Sequence, residues 1–190
     1  MASIIKVDDV QDAAGNNIIN ESGDVITIGA SGDTITIPSG ATITNSGTAT
    51  GFGGDNTPFF LADGSGSLTL ANATNTLVSI LAESYDTDNT FASNRFTPAV
   101  AGYYYLEGQV SINNSTAGTE LIAKIYKNGS QISYANAVAE GTNNTYTAIT
   151  SELDLANTTD YYELYVYQNT GGGANMNAGY TWFKGFKLIT

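Results

Sequence analysis

Short alternations of apolar and polar residues fill this chain, and no stretch carries a convincing helical period. Residues 102–112 are the clearest case. Tyr104, Leu106, Gly108, Val110 and Ile112 fall on one face, and Tyr103, Tyr105, Glu107, Gln109 and Ser111 on the other, as in a half-buried strand. Further strand candidates follow at 58–62, 67–70, 77–83, 94–97, 120–127, 130–138, 146–153, 161–168 and 180–190, separated by turn residues. Asn128-Gly129 supplies the positive φ angles of a tight turn and predicts a hairpin over 125–132. Many short strands without a helix predict an all-β sandwich or jelly roll over residues 58–190.

The first part of the chain follows a different pattern. Residues 1–22 predict two short strands or an extended arm around the turn Gly15-Asn16-Asn17. Residues 23–50 repeat: Gly23-Asp24-Val25-Ile26-Thr27-Ile28 recurs as Gly32-Asp33-Thr34-Ile35-Thr36-Ile37, and Ala41-Thr42-Ile43-Thr44 and Thr48-Ala49-Thr50 continue it in weaker form. Each unit is a short strand closed by a turn, with only one or two isoleucines to bury. Such a strand is marginal alone. Stacked units could form a solenoid, but so few copies favour three chains sharing one axis. Ile26, Ile28, Ile35 and Ile37 are therefore expected in the core of a homotrimeric stalk. Gly-rich residues 51–57 predict a hinge, so the stalk and hinge span 23–57.

Composition narrows the function. The chain has neither Cys nor His, so disulfides and thiolate metal sites are absent, as are the commonest general base and zinc ligand. An enzyme is not expected, nor is any cofactor. Net charge is −12, which disfavours nucleic acid and anionic lipid as partners. Residues 1–94 hold 11 acids against the single base Lys6, whereas residues 95–190 hold 7 acids and 5 bases. No apolar run approaches the ~20 residues of a membrane-spanning helix, so membrane insertion is not expected. The first residues are expected to be too short and too acidic a run for a secretion signal.

Four segments together resemble the globular head of complement component one q and the related tumour-necrosis-factor jelly roll. They are Phe96-Thr97-Pro98 followed by Gly102-Tyr103-Tyr104-Tyr105, the turn Lys127-Asn128-Gly129, Leu153-Asp154-Leu155 ahead of the strand at 161–168, and the closing Phe183-Lys184-Gly185-Phe186-Lys187-Leu188. The likeness covers about 58–190. Thr159-Asp160 stands where that family has Gly-Asp, and the repeat at 23–50 replaces a collagen stalk. The resemblance implies a compact homotrimer with aromatic faces buried at the three-fold axis, and Tyr104 and Phe183 are expected there. The opening Met1-Ala2-Ser3-Ile4-Ile5-Lys6-Val7-Asp8 is similar to that of a set of predicted virion proteins of marine bacteriophages. It implies that residues 1–22 are a virion-docking arm, held to other virion proteins through Ile4, Ile5 and Val7.

These readings predict a short trimeric fibre or spike of a bacteriophage virion, whose head meets a host-surface glycan or protein. Polar loops at 86–89, 113–119, 141–146 and 171–177 are the expected contact, with Asn114, Thr116, Asn143, Asn144 and Asn175 as candidates. All 12 tyrosines lie in the head, where they serve either sugar stacking or core and interface packing. Asp86 and Asp88 are close-spaced oxygen ligands of the kind calcium takes, without the Gly and distal Glu of a full calcium loop. A capsid decoration protein and a cellular carbohydrate-binding module are the alternatives.

Overall fold

The computed structural model describes residues 9–11, 13–15, 17–22, 25–29, 31–44, 46, 57–113, 116–142 and 145–188. The chain divides into two compact units, Met1–Thr50 and Gly51–Thr190. The expected hinge at 51–57 lies outside the described residues except for Thr57, as do Ile4, Ile5, Val7 and the last repeat segment, 48–50.

In the first unit, β1 (Asp9–Gln11), β2 (Asn17–Ser22) and β3 (Val25–Ile28) form an antiparallel meander. Gly15, at φ 83°, lies in the turn between β1 and β2, a left-handed conformation that costs glycine little. β3 is the first copy of the repeat. The second copy, 34–37, and the weaker 41–44 form no strand within the single chain. A four-residue strand needs a neighbour for its backbone groups, and one chain supplies none here. Ile26, Ile28, Ile35, Ile37 and Ile43 are all exposed, Ile26 by 67%.

The second unit begins with β4 (Phe59–Gly64), β5 (Thr69–Leu70), β6 (Thr76–Leu77), β7 (Leu81–Asp86), β8 (Phe91–Ala92) and β9 (Arg95–Phe96). It continues with β10 (Gly102–Ile112), β11 (Glu120–Lys127), β12 (Ser130–Val138), β13 (Tyr146–Ala156), β14 (Tyr162–Gln168), β15 (Ala174–Asn175) and β16 (Trp182–Lys187). One sheet has the order β13-β10-β16-β4-β7 and the other β12-β11-β14-β9-β8, with β6 also paired to β14. The Ser133 hydroxyl lies 2.8 Å from the Thr150 hydroxyl and joins the β12 and β13 edges, closing one side of the sandwich. Asn128 and Gly129, at φ 51° and 79°, make the tight β11–β12 turn.

The inner faces interlock. Phe60 stacks on Phe96 at 4.4 Å between ring centres and on Phe91 at 5.2 Å, and meets Phe183 edge-on at 5.1 Å. Two glycines make room for these large groups. A methyl at Gly108 would lie 2.4 Å from Leu164 Cδ1, and one at Gly185 would lie 2.6 Å from Leu106 Cδ2 and 2.9 Å from the Tyr105 carbonyl oxygen. The Tyr104 hydroxyl donates to the Val100 carbonyl at 2.7 Å and pins the loop before β10; burial pushes this phenol up to about 12.

The strand registers place the start of β4, the start of β10 and the β11–β12 turn at one end of the sandwich. At that same end Lys187 N donates to the Pro58 carbonyl at 3.0 Å. The loops after β10, before β13 and after β14 lie at the opposite end.

Candidate interaction faces

The face of the five-stranded sheet turned away from the core is largely apolar. Cross-strand partners bring Leu155 beside Tyr103, and Leu153 beside Tyr105, Phe186 and Phe59 in one row. The next row holds Ser151, Glu107, Lys184, Leu61 and Tyr85. The Tyr105 and Phe186 rings lie 5.6 Å apart, and a hollow of ≈ 360 Å³ opens among Phe59, Leu61, Lys184 and Phe186. Leu153 is 55% exposed and Leu155 54%. Covering one such half-exposed side chain is worth on the order of 1 kcal/mol, half the value of full burial.

This face corrects one expectation. Tyr104 and Phe183, expected at a three-fold axis, are fully buried between the two sheets of a single chain and cannot touch another copy. The strand period of two explains the error. The neighbours one step away, Tyr103, Tyr105 and Phe186, carry the outward aromatic surface. Glu107, Gln109 and Ser111 made that side read as the solvent face. Glu107 instead pairs with Lys184 at 3.5 Å, and Lys184 lies 4.1 Å over the Trp182 ring. The isoleucines expected in the stalk core, Ile26, Ile28, Ile35 and Ile37, are exposed in the single chain.

Three of the four expected contact loops meet at one end of the sandwich. Asn113 Oδ1 accepts from Thr145 Oγ1 at 3.1 Å and from Asn177 Nδ2 at 2.9 Å, which joins the loops after β10, before β13 and before β16. Thr116 is exposed there, while Asn114, Asn143 and Asn144 lie outside the described residues. Asn175 Oδ1 accepts from Thr69 Oγ1 at 2.9 Å and so helps hold β15 on β5.

The fourth loop, 86–89, sits at the other end. The Asp86 carboxylate accepts from Asp88 N at 3.2 Å, Thr90 Oγ1 at 2.8 Å and Phe91 N at 2.7 Å. Both its oxygens thus help to close the turn. Among the described residues no three acidic side chains gather as a metal site.

A polar clasp lies at the end where β4 begins. Lys127 Nζ reaches Asp154 at 2.6 Å and Asp160 at 3.1 Å, and Asp160 also accepts from Asn157 N at 2.8 Å and Asn128 Nδ2 at 2.7 Å. The Tyr162 hydroxyl donates to Asp154 at 2.5 Å, and burial together with that carboxylate pushes the phenol pKa up. The Asn157 amide, then the Asn128 amide and Lys127, hold Asp160 below the usual carboxylate range. Burial pulls Lys127 down, but the two carboxylates outweigh it and leave its pKa raised. Every charge has a partner, so the arrangement locks the β11–β12 turn to the β13–β14 connection and offers no free nucleophile. Its members were legible only singly, because Lys127 lies 27 residues before Asp154 and only the fold brings it to the two carboxylates.

No protein-family model and no curated protein matches the sequence. Solved structures do. The chain is similar to murine APRIL in its crystal structure at pH 5.0, with 11% identity and a TM-score of 0.53, over 69% of this chain and 98% of that one. The same protein at pH 8.5 gives 0.52 at the same identity. The globular domain of zebrafish complement 1qA protein gives 0.49 at 14% identity, over 70% of this chain and 98% of that one. The head of this protein is thus an all-β jelly roll of the kind murine APRIL adopts.

Proposed function

We propose that the protein is a non-catalytic, homotrimeric virion component, a short bacteriophage appendage whose head attaches the particle to a glycan or protein of the host surface. The observation that carries this reading is the uncovered apolar face of the five-stranded sheet. Its occupant is the same face of two further copies. The exposed isoleucines of the repeat call for the same solution, since three chains around one axis give each strand the neighbours it lacks. Coverage of several half-exposed side chains per chain supplies energy on the scale that association costs.

The loop end of the sandwich, opposite the start of β4, faces away from the chain's point of entry and suits a contact surface. Weak contacts there would be multiplied by three copies per trimer and many trimers per particle. The opening residues, similar to those of predicted marine phage virion proteins, support docking on a virion. A second reading of the same trimer is decoration of a capsid. Quantitative mass spectrometry of purified particles separates the two: a few dozen copies or fewer indicate a tail appendage, and several hundred a capsid decoration. Absence from the particle overturns both.

A further inference from the structure

The outer face of the six-stranded sheet is a tyrosine surface. Leu121, Ala123 and Ile125 of β11 are buried inward, so Ile122, Lys124 and Tyr126 point out. Lys124 stands between Tyr134 on β12 and Tyr165 on β14, and Ile122 stands beside Tyr167. Three of the rings are braced. Tyr126 and Tyr165 lie 4.2 Å apart between centroids, and the Arg95 guanidinium sits 3.8 Å over the Tyr161 ring. Tyr134, at 64% exposure, presents its ring to solvent. A ring held on a sheet loses little freedom when a ligand stacks on it.

The charges on this face differ in how well they are matched. Arg95 donates from Nε at 3.0 Å and Nη2 at 2.8 Å to Glu163 Oε1, so each has its counter-ion. The Glu120 carboxylate accepts from the amides of Asn136 and Asn169. Lys124 belongs to none of the ion pairs among the described residues. Its ammonium donates to the neutral Asn75 Oδ1 at 2.7 Å and lies 5.4 Å from the centre of the Tyr167 ring. A chain of net charge −12 here keeps a cation without a carboxylate, in the middle of an aromatic surface.

We propose that this face binds an acidic oligosaccharide, one whose sugar rings carry carboxylate or sulfate groups. The apolar side of a sugar ring lies on Tyr134, its hydroxyls bond to neighbouring phenols and amides, and its acid group pairs with Lys124. The inference rests on the adhesive reading and names the ligand's chemistry and its place, away from the loop end. It is compatible with trimerisation through the five-stranded sheet, because the two faces lie on opposite sides of the sandwich.

The test titrates the whole protein with soluble hexagalacturonate, sialyllactose and a chondroitin sulfate hexasaccharide, with maltohexaose and lactose as neutral controls. At least one acidic sugar should bind, about tenfold or more tighter than the neutral ones. Tyr134→Ala and Lys124→Met should each weaken that binding about tenfold, the scale of one stacking or charged contact, while Tyr134→Phe keeps most of it. Sedimentation and melting of each variant check assembly and fold. No binding by any acidic sugar, or binding that both variants leave intact, overturns the proposal. Host-cell attachment by the same variants separates the two levels of inference. If the wild type attaches and the variants attach equally well, the tyrosine face is excluded and the adhesive reading stands. If the wild type does not attach, the adhesive reading itself fails.

Discussion

Asp160 shows how much one side chain can organise. Three donors converge on its carboxylate, and the resulting depression of its pKa has a definite sign. A carboxylate with a lowered folded pKa contributes stability above its unfolded value of about 3.9, and loses it as pH falls through the folded value. Lys127, with its pKa raised, contributes below about 10.4 and loses its share as pH rises through its folded value. Asp160→Asn is therefore expected to cost about 2 kcal/mol at neutral pH and to flatten the acid limb of the stability curve, read from melting temperatures between pH 3 and 7. An unchanged acid limb would assign that limb to other carboxylates. The sequence marked some of these residues and not others. Asn128-Gly129 announced its turn by backbone chemistry alone. Asp86 looked like a cation ligand because its spacing was visible, while the hydrogen bonds that occupy it come from the fold of its own loop.

Strands were legible where the alternation ran long. The sequence placed β10, β11 and β12 at their observed limits, and ended β13 early, at Leu153 rather than Ala156. The two-residue strands β8 and β15 escaped, since two residues carry no period. The harder miss was the choice of face. Whether Tyr104 or Tyr103 points outward depends on what β13 and β16 place beside β10, and those strands lie far along the chain. The repeat poses the reverse case: its pattern reads as strand, yet 34–37 is unpaired in one chain. If three chains supply the missing neighbours, Ile35→Asp buries an unpaired carboxylate at a cost on the order of 3 kcal/mol. Limited proteolysis should then cut residues 1–50 faster while the head melts at an unchanged temperature. Equal cleavage in the variant and the wild type would show that Ile35 stays in water.

For the whole molecule, the decisive quantity is the mass in solution. Sedimentation of the wild type should give three times the 19.8 kDa chain mass. Leu153→Asp combined with Phe186→Asp puts charge into the proposed contact without entering the core, because both side chains point outward. The double variant should sediment at the mass of one chain and keep its far-ultraviolet circular dichroism. A trimer that survives both changes would place the interface elsewhere. A further consequence follows from the hydrogen bond between Lys187 N and the Pro58 carbonyl. The polypeptide enters and leaves the jelly roll at neighbouring points. A reporter joined directly after Leu188 would start at the entry side, leaving the loops around Asn113 unobstructed for whatever they meet.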